Sequence, residues 1–200
     1  EVHNRLNSIS ESKRTLSNIF DELYCTYSEK HNPDSKLWGD KTPMNTLYLD
    51  WIGSAFPQSK FIHIIRDGRD VVSSYLDMKR YSSIDEAAKR WIHSIFFAQK
   101  FGAKIGDSYM EIRYESLVKN PEEVIMEVCN FLDIEYDSKI LDHTSQIEKM
   151  GDTDKSHHSN LSKPISSESI GKWKNNLSED NQKKVTKLLH NSLHRLGYID

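Results

Sequence analysis

Phe61-Ile62-His63-Ile64-Ile65 runs without a break into Arg66-Asp67-Gly68-Arg69-Asp70-Val71-Val72-Ser73-Ser74-Tyr75-Leu76. The apolar run with its β-branched residues predicts a strand buried on both faces. Gly68 supplies a tight turn. Asp70 then opens a helix with apolar positions at Val71, Val72, Tyr75 and Leu76. A strand whose carboxyl end feeds a helix amino terminus is where open α/β sheets place anionic ligands. Arg66 stands at the strand end and Ser74 eight positions later. A guanidinium offers a planar fork to a phosphate, and a serine hydroxyl adds one donor from the helix side. Taken alone, the residues also admit a plain surface loop in which Arg66 pairs with Asp67 or Asp70.

Working outward, the pattern alternates between helix and strand. Leu16, Ile19, Phe20, Leu23 and Tyr24 make one helical stripe in an otherwise polar amino-terminal segment, which Asn32-Pro33-Asp34 breaks. Lys36-Leu37-Trp38-Gly39 reads as a short strand. Thr42-Pro43 reads as an N-cap followed by proline at the first position of a helix running to about Ala55. After the Phe61 strand the spacing predicts helices from Asp70 to about Arg80 and from Asp85 to about Phe101, then a strand at Tyr109-Met110-Glu111-Ile112-Arg113. Asn120-Pro121-Glu122-Glu123 starts a further helix, and Ser178-Glu179-Asp180 caps the last. Strands alternating with helices predict an α/β fold with a parallel sheet flanked by helices. The expected organisation is one domain over 1–200: a helical segment at 1–35, an α/β core at 36–134, a loop region at 135–175 and a carboxy-terminal helix at 176–200.

The chain has 200 residues, enough for one α/β core, with 36% hydrophobic and 28% charged residues. A net charge of -3 argues against a general nucleic-acid binder. No apolar run approaches the roughly 20 residues of a membrane span. Cys25 and Cys129 give no disulfide scaffold, and Cys129 reads as a small apolar residue within a helix. His157-His158, near Asp152 and Asp154, lack an established metal-ligand spacing, and free loop histidines are the better reading.

The Arg66 segment resembles the 3′-phosphate-binding segment of the sulfotransferases that use 3′-phosphoadenylyl sulfate (PAPS). Arg-Asp-Gly-Arg is close to the form in tyrosylprotein and related enzymes, and the resemblance implies that Arg66 and Ser74 grip the donor's 3′-phosphate. Gly39-Asp40-Lys41-Thr42-Pro43 resembles the carbohydrate-sulfotransferase segment that supplies a catalytic lysine, and it stands 25 positions before Arg66. An ammonium near a helix amino terminus can stabilise charge developing on the leaving nucleotide's bridging oxygen. Ile112-Arg113-Tyr114-Glu115-Ser116-Leu117 is similar to the family's Tyr-Glu-Asp segment, which implies that Tyr114 contacts the adenine side of the donor. Without the family, Tyr114 and Leu117 could equally seal the strand end. The run from Ser162-Lys163-Pro164 to Gly171-Lys172-Trp173 looks like the late loop that covers the 3′-phosphate and adenine, with Ser162 and Lys163 as contacts and the tryptophan as anchor.

The resemblance spans roughly Gly39 to Trp173 and implies the P-loop-nucleotide-kinase-like sulfotransferase fold. It implies in-line transfer from PAPS to an acceptor hydroxyl or amine on a protein, glycan or small molecule. Adenosine 3′,5′-bisphosphate would be released, and the mechanism requires no metal. The small-molecule branch places a histidine base two positions after the lysine; here that position is Pro43, which cannot take a proton. Asp40 could serve as base or could orient Lys41. No glycine precedes Gly39, so the Gly/Ser/Thr-rich turn that cradles a 5′-phosphosulfate is absent, and the expectation is a fold incomplete at its amino terminus. Two rivals remain at this point. One is a related kinase, whose Gly-x-x-x-x-Gly-Lys-[Ser/Thr] motif does not occur in the chain; the other is a non-catalytic nucleotide-binding module.

Overall fold

The computed structural model describes residues 2–35, 37–142 and 164–200. They fall into two compact units, Glu1–Ser59 and Lys60–Asp200.

The amino-terminal unit is helical. Helices α1 (Val2–Ser8) and α2 (Leu16–His31) are joined by Arg5, whose guanidinium reaches Glu22 at 2.7 Å and Glu29 at 2.5 Å. The Thr15 hydroxyl caps α2 by accepting from the Asn18 N–H at 3.2 Å. The predicted apolar stripe has aromatic partners rather than a deep core. Trp38 stacks on Tyr24 at 4.1 Å, and Phe56 meets Phe20 and Trp38 edge-on. Two local expectations fail here. Residues 37–39 form no strand, because the Trp38 ring is taken up by stacking on α2 and its indole N–H by Asp21 at 2.9 Å. Thr42-Pro43 does not cap a helix. It opens a turn and a single 3₁₀ turn at Asn45–Leu47, and α3 begins only at Leu49, running to Ala55.

The carboxy-terminal unit is α/β. Strand β1 (Phe61–Ile65) leads into α4 (Gly68–Asp77) and α5 (Ile84–Ile105), and the chain returns as β2 (Tyr109–Arg113). The strands pair parallel, from Phe61 opposite Tyr109 to Ile65 opposite Arg113. Helices α6 (Tyr114–Lys119) and α7 (Pro121–Leu132) follow, the latter with the expected proline in its first turn. The last elements are α8 (Trp173–Asn176) and α9 (Glu179–Arg195), with Ser178 capping α9 as its sequence indicates. One core joins β1, α4, α5, α8 and α9 through Ile65, Val72, Trp91, Ile95, Trp173 and Leu189. Cys129 is buried and unbridged.

Burial of β1 on both faces is not what the structure shows. Phe61 packs on Phe101 of α5 and Ile65 is buried, but Ile62 and Ile64 on the opposite face are 37% and 52% exposed. Alternation of side chains along a strand divides the run between one covered face and one open one. Gly68 also differs in its reason. Its backbone is not left-handed; a Cβ there would lie 2.8 Å from both Trp91 and Leu189. The residue is a glycine because α4 starts hard against the core, not because the chain needs an unusual turn. No helix among the described residues is long and apolar enough to cross a membrane.

Candidate functional site

The corner between β1 and α4 is built by its neighbours in space. Asp67, not Asp70, caps α4, accepting from the Arg69 N–H at 2.9 Å. Arg69 closes back on the Asp67 carboxylate at 2.7 Å and lies over the Trp173 ring at 4.4 Å. The Asp67 N–H donates to Glu115 at 2.9 Å, and the other Glu115 oxygen accepts from the Tyr198 hydroxyl at 2.9 Å. Burial, reinforced by that carboxylate, pushes the Tyr198 phenol well above its ordinary value. The Trp91 indole donates to the Arg66 carbonyl at 3.2 Å. Two N–H groups and one carbonyl of the strand-to-helix turn are thus taken up.

Arg66 is half-buried, with its guanidinium carbon 4.6 Å from the centre of the Tyr114 ring. One terminal nitrogen, Nη2, donates to the Ser169 carbonyl and lies 3.8 Å from an Asp70 oxygen. The Nε is buried and has no partner among the described residues. A guanidinium fixed by an aromatic face and a carbonyl, with a buried donor still unsatisfied, is suited to an anion. Ser74, half-buried, stands on α4 one turn beyond Asp70. The neighbouring Ser73 is buried, with its hydroxyl unpartnered among the described residues.

Asp70 does form an ion pair with Arg66, at 3.8 Å, as the plain-loop reading allows, but it is a buried carboxylate and not a surface partner. Its side chain is 1% exposed, and its two oxygens accept the Gly171 and Trp173 N–H groups at 2.7 and 3.0 Å. The segment leading into α8 is therefore bound to the first turn of α4. Trp173 itself is buried in the core, as its reading as an anchor requires.

In the amino-terminal unit, Lys41 is exposed and enters no ion pair among the described residues. Beside it, Asp40 accepts from the Asn45 side-chain amide at 2.7 Å and the Thr42 hydroxyl at 3.2 Å. Burial and the Asp40 carboxylate raise the Tyr24 phenol. Asp40 thereby braces the turn that carries Lys41.

The structure thus brings Arg66 and Tyr114 into contact and sets Ser74 on the same corner, while Asp40 and Lys41 share a turn of the other unit. Ser162 and Lys163, with His157 and His158, lie outside the described residues. The sequence reading missed Glu115 and Tyr198 as braces and the carboxylate role of Asp70. Their partners are tens of residues away in the chain, and no local motif signals them.

Residues 4–138 match the profile of a family described as "Sulfotransferase family". A protein-tyrosine sulfotransferase 1 of Danio rerio is 26% identical over 97% of this chain and 57% of its own length. A protein-tyrosine sulfotransferase of Drosophila melanogaster is 27% identical over 84% of this chain and 36% of its own length. The chain thus spans between about a third and three fifths of these relatives. Among solved structures, the sulfotransferase domain from the Synechococcus PCC 7002 olefin synthase superposes with a TM-score of 0.69 at 23% identity, covering 94% of this chain and 68% of that one. The sulfotransferase domain from the curacin biosynthetic pathway gives a TM-score of 0.62 at 22% identity, covering 94% and 75%.

Proposed function

The chain belongs to the sulfotransferase family, and from that premise we propose that it transfers the sulfuryl group of PAPS to an acceptor hydroxyl, with a protein tyrosine as the first acceptor to test. The acceptor oxygen attacks sulfur, the bond from sulfur to the bridging phosphate oxygen breaks, and adenosine 3′,5′-bisphosphate leaves. The acceptor proton passes to a general base. Arg66 and Ser74 hold the 3′-phosphate. Tyr114 supports the Arg66 guanidinium and offers its remaining edge to the adenine side. Lys41 stabilises the charge that develops on the leaving oxygen, and Asp40 keeps its turn in shape. Ser162 and Lys163 add contacts from the late loop. PAPS is a co-substrate, and this chemistry calls on no metal.

One observation carries the reading: the Arg66 guanidinium is fixed on Tyr114 at a strand-to-helix corner while its buried Nε lacks a partner among the described residues. An anion seated there satisfies that donor. Transfer of labelled sulfate from PAPS to a tyrosine peptide, alongside calorimetric binding of adenosine 3′,5′-bisphosphate, tests it. Transfer and bisphosphate binding that are present in the wild type and both weakened in Arg66→Ala are the expected result. Wild-type protein with neither bisphosphate binding nor transfer overturns it.

A further inference from the structure

We propose that Asp70 is the positioning residue of this nucleotide pocket: its buried carboxylate ties the Ser169–Trp173 segment to α4 and thereby sets the Arg66 guanidinium for a 3′-phosphate. The inference rests on the reading of Arg66 given above. A carboxylate that is 1% exposed is costly unless it is fully paired. Both of its close partners are backbone N–H groups of one segment, Gly171 at 2.7 Å and Trp173 at 3.0 Å. Arg66 lies 3.8 Å away, beyond a hydrogen bond. Asp70 therefore pairs with the guanidinium by charge but makes its hydrogen bonds with the segment whose Ser169 carbonyl does the aiming.

The backbone is shaped for this purpose. Gly171 has φ +74°, a left-handed conformation that lets two nearby N–H groups converge on one carboxylate. Trp173, the second donor, is locked in the core and stacked beneath Arg69. The clamp therefore joins a fixed point of the core to the first turn of α4. Ser169, two residues before the clamped Gly171, carries the carbonyl that meets Arg66. The two N–H groups reach separate carboxylate oxygens, so asparagine at position 70 would replace one acceptor with an NH2 that faces a donor. The segment would then shift, and Arg66 would lose the carbonyl that orients it.

The test is a double-substitution cycle on the full-length protein, with calorimetric titration of adenosine 3′,5′-bisphosphate and a thermal melt of each variant. Asp70→Asn is expected to weaken binding about tenfold, the scale of losing charge-assisted bonds that order a ligand contact. Arg66→Lys keeps a charge, so its weakened affinity stays measurable, but it loses the fork. Adding Asp70→Asn to Arg66→Lys should then cost less than about twofold more, because the two residues act through one another. Wild-type affinity in Asp70→Asn, or losses that simply add, overturns the positioning role. If Arg66→Lys binds as tightly as wild type, the 3′-phosphate assignment itself fails and Asp70 falls with it. Should Asp70→Asn not fold, Gly171→Ala carries the same cycle, because its added methyl meets nothing within 4 Å and strains the segment through φ alone. Its binding should fall about threefold, with the same insensitivity on the Arg66→Lys background, and unchanged affinity overturns the proposal.

Discussion

Around Arg66, groups from α6, the Ser169–Trp173 segment and the carboxy-terminal Tyr198 converge on one corner. Around Lys41, the bracing bonds run from Asp40 to Thr42 and Asn45, within the same turn. The first corner is preorganised by partners distant in sequence. The second presents an exposed cation on a locally folded turn. The contrast suits two tasks. A fixed phosphate rewards a rigid fork, whereas a group that meets charge only as a bond breaks needs its head unpaired in the ground state. It also separates two kinds of substitution: those read in turnover and those read in binding or stability.

The largest expected effect tests that separation directly. Lys41→Ala should reduce sulfuryl transfer by about 100-fold or more, the usual cost of removing a preorganised stabiliser. Bisphosphate affinity should change little, and stability should stay within about 0.5 kcal/mol, as for an exposed side chain. Rate assays beside calorimetry measure both; near wild-type turnover would break the comparison. Next is Arg66→Ala, which should weaken bisphosphate binding by about 1.5–3 kcal/mol, with Ser74→Ala costing less. Equal affinities in all three proteins would remove the corner from the site.

Gly68→Ala sharpens the comparison from the stability side. The new methyl would meet Trp91 and Leu189 at 2.8 Å, so denaturant unfolding should show a loss of about 1–3 kcal/mol. A neutral result would mean that α4 can slide outward, and the corner is not rigid. The smallest effect concerns His63, in the middle of β1. Burial lowers its pKa below the ordinary 6.5, although Glu111 pulls the other way. The unfolded chain therefore binds the proton more readily. Stability is full above about pH 6.5 and falls as the pH drops below it, by at most about 1.4 kcal/mol per pH unit. Denaturation at pH 7.5 and 5.5 should show this slope, and His63→Gln should flatten it.

The sequence made the second unit legible and the first less so. β1, β2, α5 and α9 announced themselves through apolar periodicity and through caps such as Ser178, and the structure has them where the spacing puts them. Arg66 and Tyr114 were visible as motif residues. Their contact was not, because it depends on the parallel pairing that sets β2's end beside β1's. Lys36-Leu37-Trp38-Gly39 misled for the opposite reason. Its apolar pair suggested a strand, but aromatic stacking on Tyr24 outweighed that weak local preference. Thr42-Pro43 offered capping chemistry, yet the Thr42 hydroxyl was drawn to Asp40 instead. Asp70 reads in sequence as a helix opener or a surface partner of Arg66, since nothing nearby reveals that it accepts from amides more than a hundred residues on.

The parallel pair also sets an order of events during folding. Residues that face each other across it, such as His63 and Glu111, are separated by 48 positions. Such a pairing cannot zip up from a hairpin; a long loop must close before any strand bond is gained. About half of that loop is α5, 22 residues with a capped start and a continuous buried face. A helix of that length shortens the search by drawing the strand ends together as it forms. Weakening α5 should therefore slow folding itself, whereas trimming side chains from β2 should chiefly hasten unfolding.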